Sequence, residues 1–207
     1  MLKEESIYKS FLIENCSLDV AHDLGHIKRV VKSAGNICSA EGGDSEVVIT
    51  AAWLHDCITL PKDHPERSKS SILSGKKATE FLVTTDFPKS KIKSVVHAIE
   101  AHSYSAGIEP KTIEAKIVQD ADRLDALGAI GIARCLLVGG KLGRPLYDPD
   151  DPFCESRSPD DSVYTIDHFY EKLFKLPDLL HTDGAKKIAA HRIEFMKSYL
   201  NQLKEEI

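Results

Sequence analysis

Apolar residues along most of the chain recur at three-and-four spacing, the period of an amphipathic helix, rather than at the two-residue spacing of a half-buried strand. The pattern predicts helices over about 4–15, 24–40, 46–57, 68–84, 89–102 and 112–137, the last with a possible break, and a final one over 183–204. Ile27, Val30, Val31, Ala34 and Ile37 mark the second stripe. "EGGDSEVV" then offers a glycine stop followed by an aspartate or serine cap. From 139 to 163 the periodicity gives way to "GGKLGRPLYDPDDPFCESRSPDDSV", rich in Gly, Pro and Asp and too long for a simple connection, so a functional lid or a packed surface excursion is expected. Helical periodicity returns in "TIDHFYEKLFKL". The fold class is all-α. With 207 residues, one domain is expected, with a core over about 20–138, the loop over 139–163 and C-terminal helices over 164–204.

Three polar intrusions interrupt the apolar stripes. The run from Val47 through Leu54 ends on the pair His55-Asp56. His26 opens the stripe of the second helix, with His22 four residues earlier on the same face. "EAKIVQDADRLDALGAIGIARCLLV" surrounds Asp120, Asp122, Arg123 and Asp125 with apolar residues. A carboxylate desolvated without a partner costs several kcal/mol, so these groups must meet a cation, a hydrogen-bond network or water. Asp122 and Asp125, three apart, share a helical face, whereas Asp120 lies about 200° from Asp122. A lone histidine on an apolar stripe is most often a packed core residue, and aspartates in a helix most often a salt-bridged surface. Two imidazoles and two carboxylates in this order, however, form a mixed nitrogen and oxygen set suited to a divalent first-row metal such as Mn, Fe, Ni, Co or Zn, with Mg possible.

Charge and cysteine content narrow the class. A net charge of −5 with interspersed signs disfavours extended nucleic-acid binding but leaves room for a small phosphate pocket. The segment "MLKEESIYKSFLIENC" has charges on both sides of a short apolar patch, unlike a signal peptide or a membrane span, so a cytoplasmic protein with no membrane association is expected. Five widely spaced cysteines without a CxxC pair read as reduced thiols. Amphipathic stripes can be buried within one chain or against a second copy, which leaves a homo-oligomer open.

The series His26, His55-Asp56 and Ala121-Asp122-Arg123 resembles the HD superfamily of metal-dependent phosphohydrolases. The likeness extends through "AHDLGHIKRV", "AAWLHD", "HPERSKSSIL", "AIEAHSYSAGIEP", "EAKIVQDADRLDALGAIGIAR", "GRPLYDPDDPF" and "DHFYEKLFKLP", over roughly residues 20 to 200, to a bacterial branch of small, single-domain, largely uncharacterised members. This resemblance implies an HD-domain helical bundle with His26, His55, Asp56 and Asp122 as ligands of one divalent metal. His55, Asp56 and Asp122 are then its catalytic residues. It also implies a phosphohydrolase in which a water activated on the metal attacks the phosphorus of a small phosphorylated substrate, a nucleotide above all. Asp122 is taken rather than Asp120 because the family's last motif reads alanine, aspartate, arginine.

Two branches of the family fit less well. Alarmone hydrolases carry acidic residues shortly after the doublet, where this chain has Ile58, Thr59 and Leu60. Dinuclear members insert two further histidines, yet His97 and His102 stand about 140° apart around a helix, so one metal is expected. Lys62, Arg67 and His102 are candidates for binding substrate; the bland alternatives are solvated loop charges for the first two and a helix-end packing role for His102. His22, Asp23, Arg123 and Asp125 are candidates to support the ligands from behind, with helix capping by Asp23 and a structural ion pair of Arg123 as alternatives. Two other function classes remain: a non-catalytic module that binds and senses a nucleotide, and a di-iron oxygenase, which the poorly spaced histidines disfavour.

Overall fold

The computed structural model describes residues 2–15, 23–60 and 64–207. Among them the regular structure is helical, with no strand. The helices are α1 (Leu2–Asn15), α2 (Leu24–Glu41), α3 (Ser45–Leu54), α4 (Ser70–Leu82), α5 (Ile92–His102), α6 (Ile113–Leu124), α7 (Gly128–Lys141), α8 (Asp167–Glu171) and α9 (Asp183–Glu206). None of the described helices is long and apolar enough to cross a membrane. The chain divides into two compact units, Met1–Asp122 and Arg123–Ile207.

In the first unit, α3 is the central element. Its sequence SEVVITAAWL is apolar on every side, and α1, α2, α4 and α5 all pack against it. Trp53 is core, stacked with Tyr8 at 6.3 Å between ring centroids, and the Tyr8 hydroxyl reaches Thr50 at 2.9 Å. The turn into α3 follows the sequence signals. Gly42 and Gly43 adopt φ of 82° and 99°, and a Cβ on Gly43 would come within 3.1 Å of Ile113. Asp44 then caps α3, accepting from the Glu46 and Val47 amides. Its own amide donates to Glu114 at 3.0 Å, which ties the start of α6 to this turn.

The segment after α3 is held to α4 by serines. The Ile58 amide donates to Ser74 Oγ at 3.0 Å, and the Leu60 amide donates to Ser70 Oγ at 3.2 Å. At the far end of α5, Gln119 donates to the Ala101 carbonyl at 2.6 Å, which fixes α6 beside the α5 terminus. These polar staples fix the chain after the His-Asp doublet and the junction of α5 with α6.

In the second unit, the break expected within 112–137 falls at 125–127. Leu127 is extended, and Gly128 begins α7 at φ 74° with Arg192 packed where a Cβ would stand. The following helix runs to Lys141, so the irregular segment begins at 142 rather than 139 and continues to 166. It is a packed excursion built around Arg157. The guanidinium binds both oxygens of fully buried Asp167, at 2.5 and 2.8 Å, and donates to the Asp151 carbonyl. Asp151 in turn accepts from the Glu155, Ser156 and Arg157 amides.

Those bonds make the excursion acid-sensitive. Amide donors from Ser156 and Glu155 lower the Asp151 pKa to about 2. Burial opposes charge on Asp167, but Arg157 and the Asp160 amide hold its pKa below the usual value. Both carboxyls have folded values below their unfolded ones. Their stabilisation is therefore present above about pH 4 and lost as pH falls toward 2. Amide hydrogen exchange at Glu155, Ser156 and Arg157 should accelerate across that window beyond its intrinsic pH dependence. Asp151→Asn should flatten the response, and an unchanged profile in that variant would refute the assignment.

Candidate metal centre

Four side chains from two helices and the turn after α3 meet in the first unit. His26 lies in the first turn of α2, where Asp23 caps the helix by accepting from the His26 amide at 2.7 Å. His55 follows the last residue of α3. Its Nδ1 donates to the Ala52 carbonyl at 2.8 Å, satisfying one of the acceptors that a helix end leaves open. That bond places the proton on Nδ1 and turns the Nε2 lone pair inward. Asp56 occupies the next position, and Asp122 projects from the last turn of α6.

The inward atoms are close. His26 Nε2 and His55 Nε2 lie 3.3 Å apart, Asp122 Oδ1 is 3.4 and 3.9 Å from them, and Asp56 Oδ2 is 3.9 and 3.6 Å from them. Ligands at about 2.1 Å from one ion stand about 3.0 Å apart at a right angle, about 3.4 Å at the tetrahedral angle and about 4.2 Å when opposite. The observed separations fall within that range. His26, His55 and Asp56 form a group able to hold a metal, and Asp122 stands beside the two histidines outside that group. Two imidazoles with two carboxylates form a mixed nitrogen and oxygen set that matches a borderline divalent cation.

Burial grades across the cluster. The histidine side chains are 1% and 0% exposed, Asp56 13% and Asp122 29%, so a ligand can approach from the Asp122 side. Burial pushes the His55 pKa down to about 4, which keeps this imidazole neutral and able to ligate at neutral pH.

His102, the last residue of α5, joins the cluster from behind. Its Nδ1 is 2.6 Å from the Ile99 carbonyl and its Nε2 3.3 Å from Asp56 Oδ1, the oxygen turned away from the other two histidines. Its ring meets His55 edge-on at 4.9 Å. Burial opposes its charge, but the Asp56 hydrogen bond and the neighbouring carboxylates outweigh burial and push its pKa up to about 9.

The remaining sequence candidates scatter. His97 accepts from the Lys111 amide at 3.0 Å and His64 from the Glu66 amide at 3.1 Å, so both rings serve local turns. Arg67 begins the short turn before α4 and donates to the Leu60 carbonyl. His22 and Lys62 lie outside the described residues. Asp120 is fully buried in α6. The face that Asp122 and Asp125 would share requires a continuous helix, but α6 ends at Leu124, and Asp125 instead pairs with Arg134 at 2.7 Å. Arg123 donates to the Leu179 carbonyl. The Ala52 and Ile99 carbonyls that orient the two helix-end histidines were not among the candidates. The signal for them was there, since each histidine stands three residues after its carbonyl at the end of an apolar helix.

Known proteins resemble this chain in sequence and in fold. The family model for the HD domain matches residues 23–127. The Bacillus subtilis protein YpgQ, described as uncharacterised, is 36% identical over 190 residues, covering 90% of this chain and 84% of YpgQ. The crystal structure of YpgQ in complex with ADP superposes with a TM-score of 0.75 at 36% identity, over 98% of this chain and 97% of that one. An HD-superfamily hydrolase from Bacillus thuringiensis does so with a TM-score of 0.73 at 37% identity, over 99% and 97%. By its match to the HD-domain model and its likeness to YpgQ, this chain, which carries His26, His55-Asp56 and Asp122 in that order, belongs to the HD-domain family.

Proposed function

We propose that this protein is a divalent-metal-dependent phosphohydrolase acting on a phosphomonoester or phosphoanhydride of a nucleotide. The observation that carries the reading is the grouping of His26, His55 and Asp56 at separations able to hold a metal, with Asp122 Oδ1 3.4 Å from His26 Nε2 beside it. His26, His55, Asp56 and Asp122 would hold one divalent ion, Mn, Ni, Co, Fe, Zn or Mg, which when bound would supply Lewis-acid polarisation of a phosphoryl oxygen and a lowered pKa for a water.

The chain's own residues hold and orient. His55, fixed at Nδ1 by the Ala52 carbonyl, keeps a neutral Nε2 toward the centre. Asp56 and Asp122 contribute the negative charge that a dication needs. Because Asp122 is the most exposed of the four, the phosphate enters on its side. Lys62 and Arg67, after the doublet in sequence, are the candidates for the substrate's phosphates; the Arg67 guanidinium would have to leave the Leu60 carbonyl to bind two phosphate oxygens at once. The ADP complex of YpgQ supports a nucleotide as the carrier of the phosphate.

That complex equally supports a second reading, a module that binds a nucleotide without turning it over. The test is release of orthophosphate or pyrophosphate from a nucleotide panel by metal-stripped protein, refilled separately with each divalent metal. Hydrolysis that appears only on refilling is expected. Nucleotide binding with no product under any metal would replace the enzyme with the sensor.

A further inference from the structure

The sequence offers His102 as a contact to substrate, but its geometry gives it another task. The side chain is 6% exposed, and both ring nitrogens face protein atoms. A backbone carbonyl only accepts, so Nδ1 carries the proton given to Ile99 at 2.6 Å. Nε2 stands 3.3 Å from Asp56 Oδ1, while the other oxygen of that carboxylate faces His55 Nε2 at 3.6 Å and His26 Nε2 at 3.9 Å. Asp56 follows the end of α3, where the helix no longer fixes its backbone.

We infer that His102 is a positioning residue: seated with Nε2 3.3 Å from Oδ1, it holds the Asp56 carboxylate so that Oδ2 alone is presented to the metal. This role rests on the metal centre proposed above. Three consequences follow from the contact. Asp56 cannot rotate its plane without losing it. One oxygen stays out of the coordination sphere, which leaves room there for water and a phosphoryl oxygen. Oδ1, turned away from the other two histidines, has the His102 ring as a partner. The rigid end of α5, tied to α6 by the Gln119 bond to Ala101, is what makes the anchor stiff.

The test is calorimetric titration of Mn into metal-stripped wild type, His102→Ala, His102→Asn and His102→Gln, with the melting temperature of each metal-free form measured alongside. A glutamine amide reaches the Nε2 position and can donate to Asp56, whereas an asparagine amide reaches only the Nδ1 position and the Ile99 carbonyl. Alanine and asparagine should weaken Mn binding by about 10- to 100-fold, and glutamine should recover most of the loss. Should the alanine variant not fold, the contrast between asparagine and glutamine decides. Asparagine and glutamine binding Mn equally would overturn the role, as would wild-type Mn affinity in His102→Ala accompanied by a raised KM for nucleotide or a lower melting temperature. Absence of Mn binding by wild type would instead remove the metal centre itself, and this role with it.

Discussion

Asp122→Ala is expected to abolish metal-dependent nucleotide hydrolysis, by at least about three orders of magnitude in kcat/KM, a loss equivalent to about 4 kcal/mol of transition-state stabilisation. Among the four converging residues, Asp122 makes the cleanest test. Its side chain is 29% exposed and projects from the end of α6, so truncation opens no core cavity and leaves no buried donor unpaired. His55→Ala would test the same centre less cleanly, because the ring is fully buried and its loss would also leave the Ala52 carbonyl without its partner. Removing Asp122 deletes one ligand oxygen and one of the two charges matched to the dication. Metal content per chain should therefore fall together with activity. The check is steady-state hydrolysis under saturating metal, with elemental analysis of the dialysed protein and a melting curve to verify the fold. Activity within tenfold of wild type would take Asp122 out of the centre.

The second large effect concerns stability. Arg157→Ala is expected to destabilise the unit Arg123–Ile207 by about 3–5 kcal/mol, because it leaves Asp167 as a fully buried carboxylate whose strongest partner is gone. Replacement by lysine should recover little, since an ammonium cannot reproduce the two parallel bonds. Arg157 also donates to the Asp151 carbonyl and stacks over Tyr164 at 5.1 Å, so the excursion over 142–166 loses its central tie. A fall in melting temperature of roughly 10 °C is the expected reading. The double variant Arg157→Met with Asp167→Leu should be far less destabilised than Arg157→Ala, because the penalty lies in the orphaned charge rather than in the lost pair. If the single variant melted within 2 °C of wild type, or the double variant fared no better than the single, the excursion would not depend on this ion pair.

Elements governed by interactions within a turn or two were legible in the amino-acid pattern. The apolar stripe of α2, the glycine stop at Gly42, the Asp44 cap and the all-round apolar character of α3 follow from helical period and local hydrogen bonding, which act over three or four residues. The ends of elements were read less well. The break at 125–127 depends on Gly128 at positive φ and on the Asp125 bond to Arg134, and the start of the excursion depends on how far α7 continues past its paired glycines. Local propensity is nearly neutral at those points, so packing decides.

The same division holds for the candidate site. By itself the sequence determined the fold class and the family resemblance, and it marked a histidine, a histidine-aspartate doublet and aspartates in apolar surroundings as costly unless something binds them, the choice of Asp122 among those aspartates coming from the resemblance. Tertiary structure alone decided which polar residues share a point in space. It put His102 behind Asp56 and drew Asp125 away to Arg134, and it made Arg157 the hub of a segment whose sequence shows only scattered charges. The physical reason is range. Helical periodicity specifies which face a residue occupies, whereas the juxtaposition of residues dozens of positions apart depends on how α3, α5 and α6 are held by core packing and by bonds such as Gln119 to Ala101.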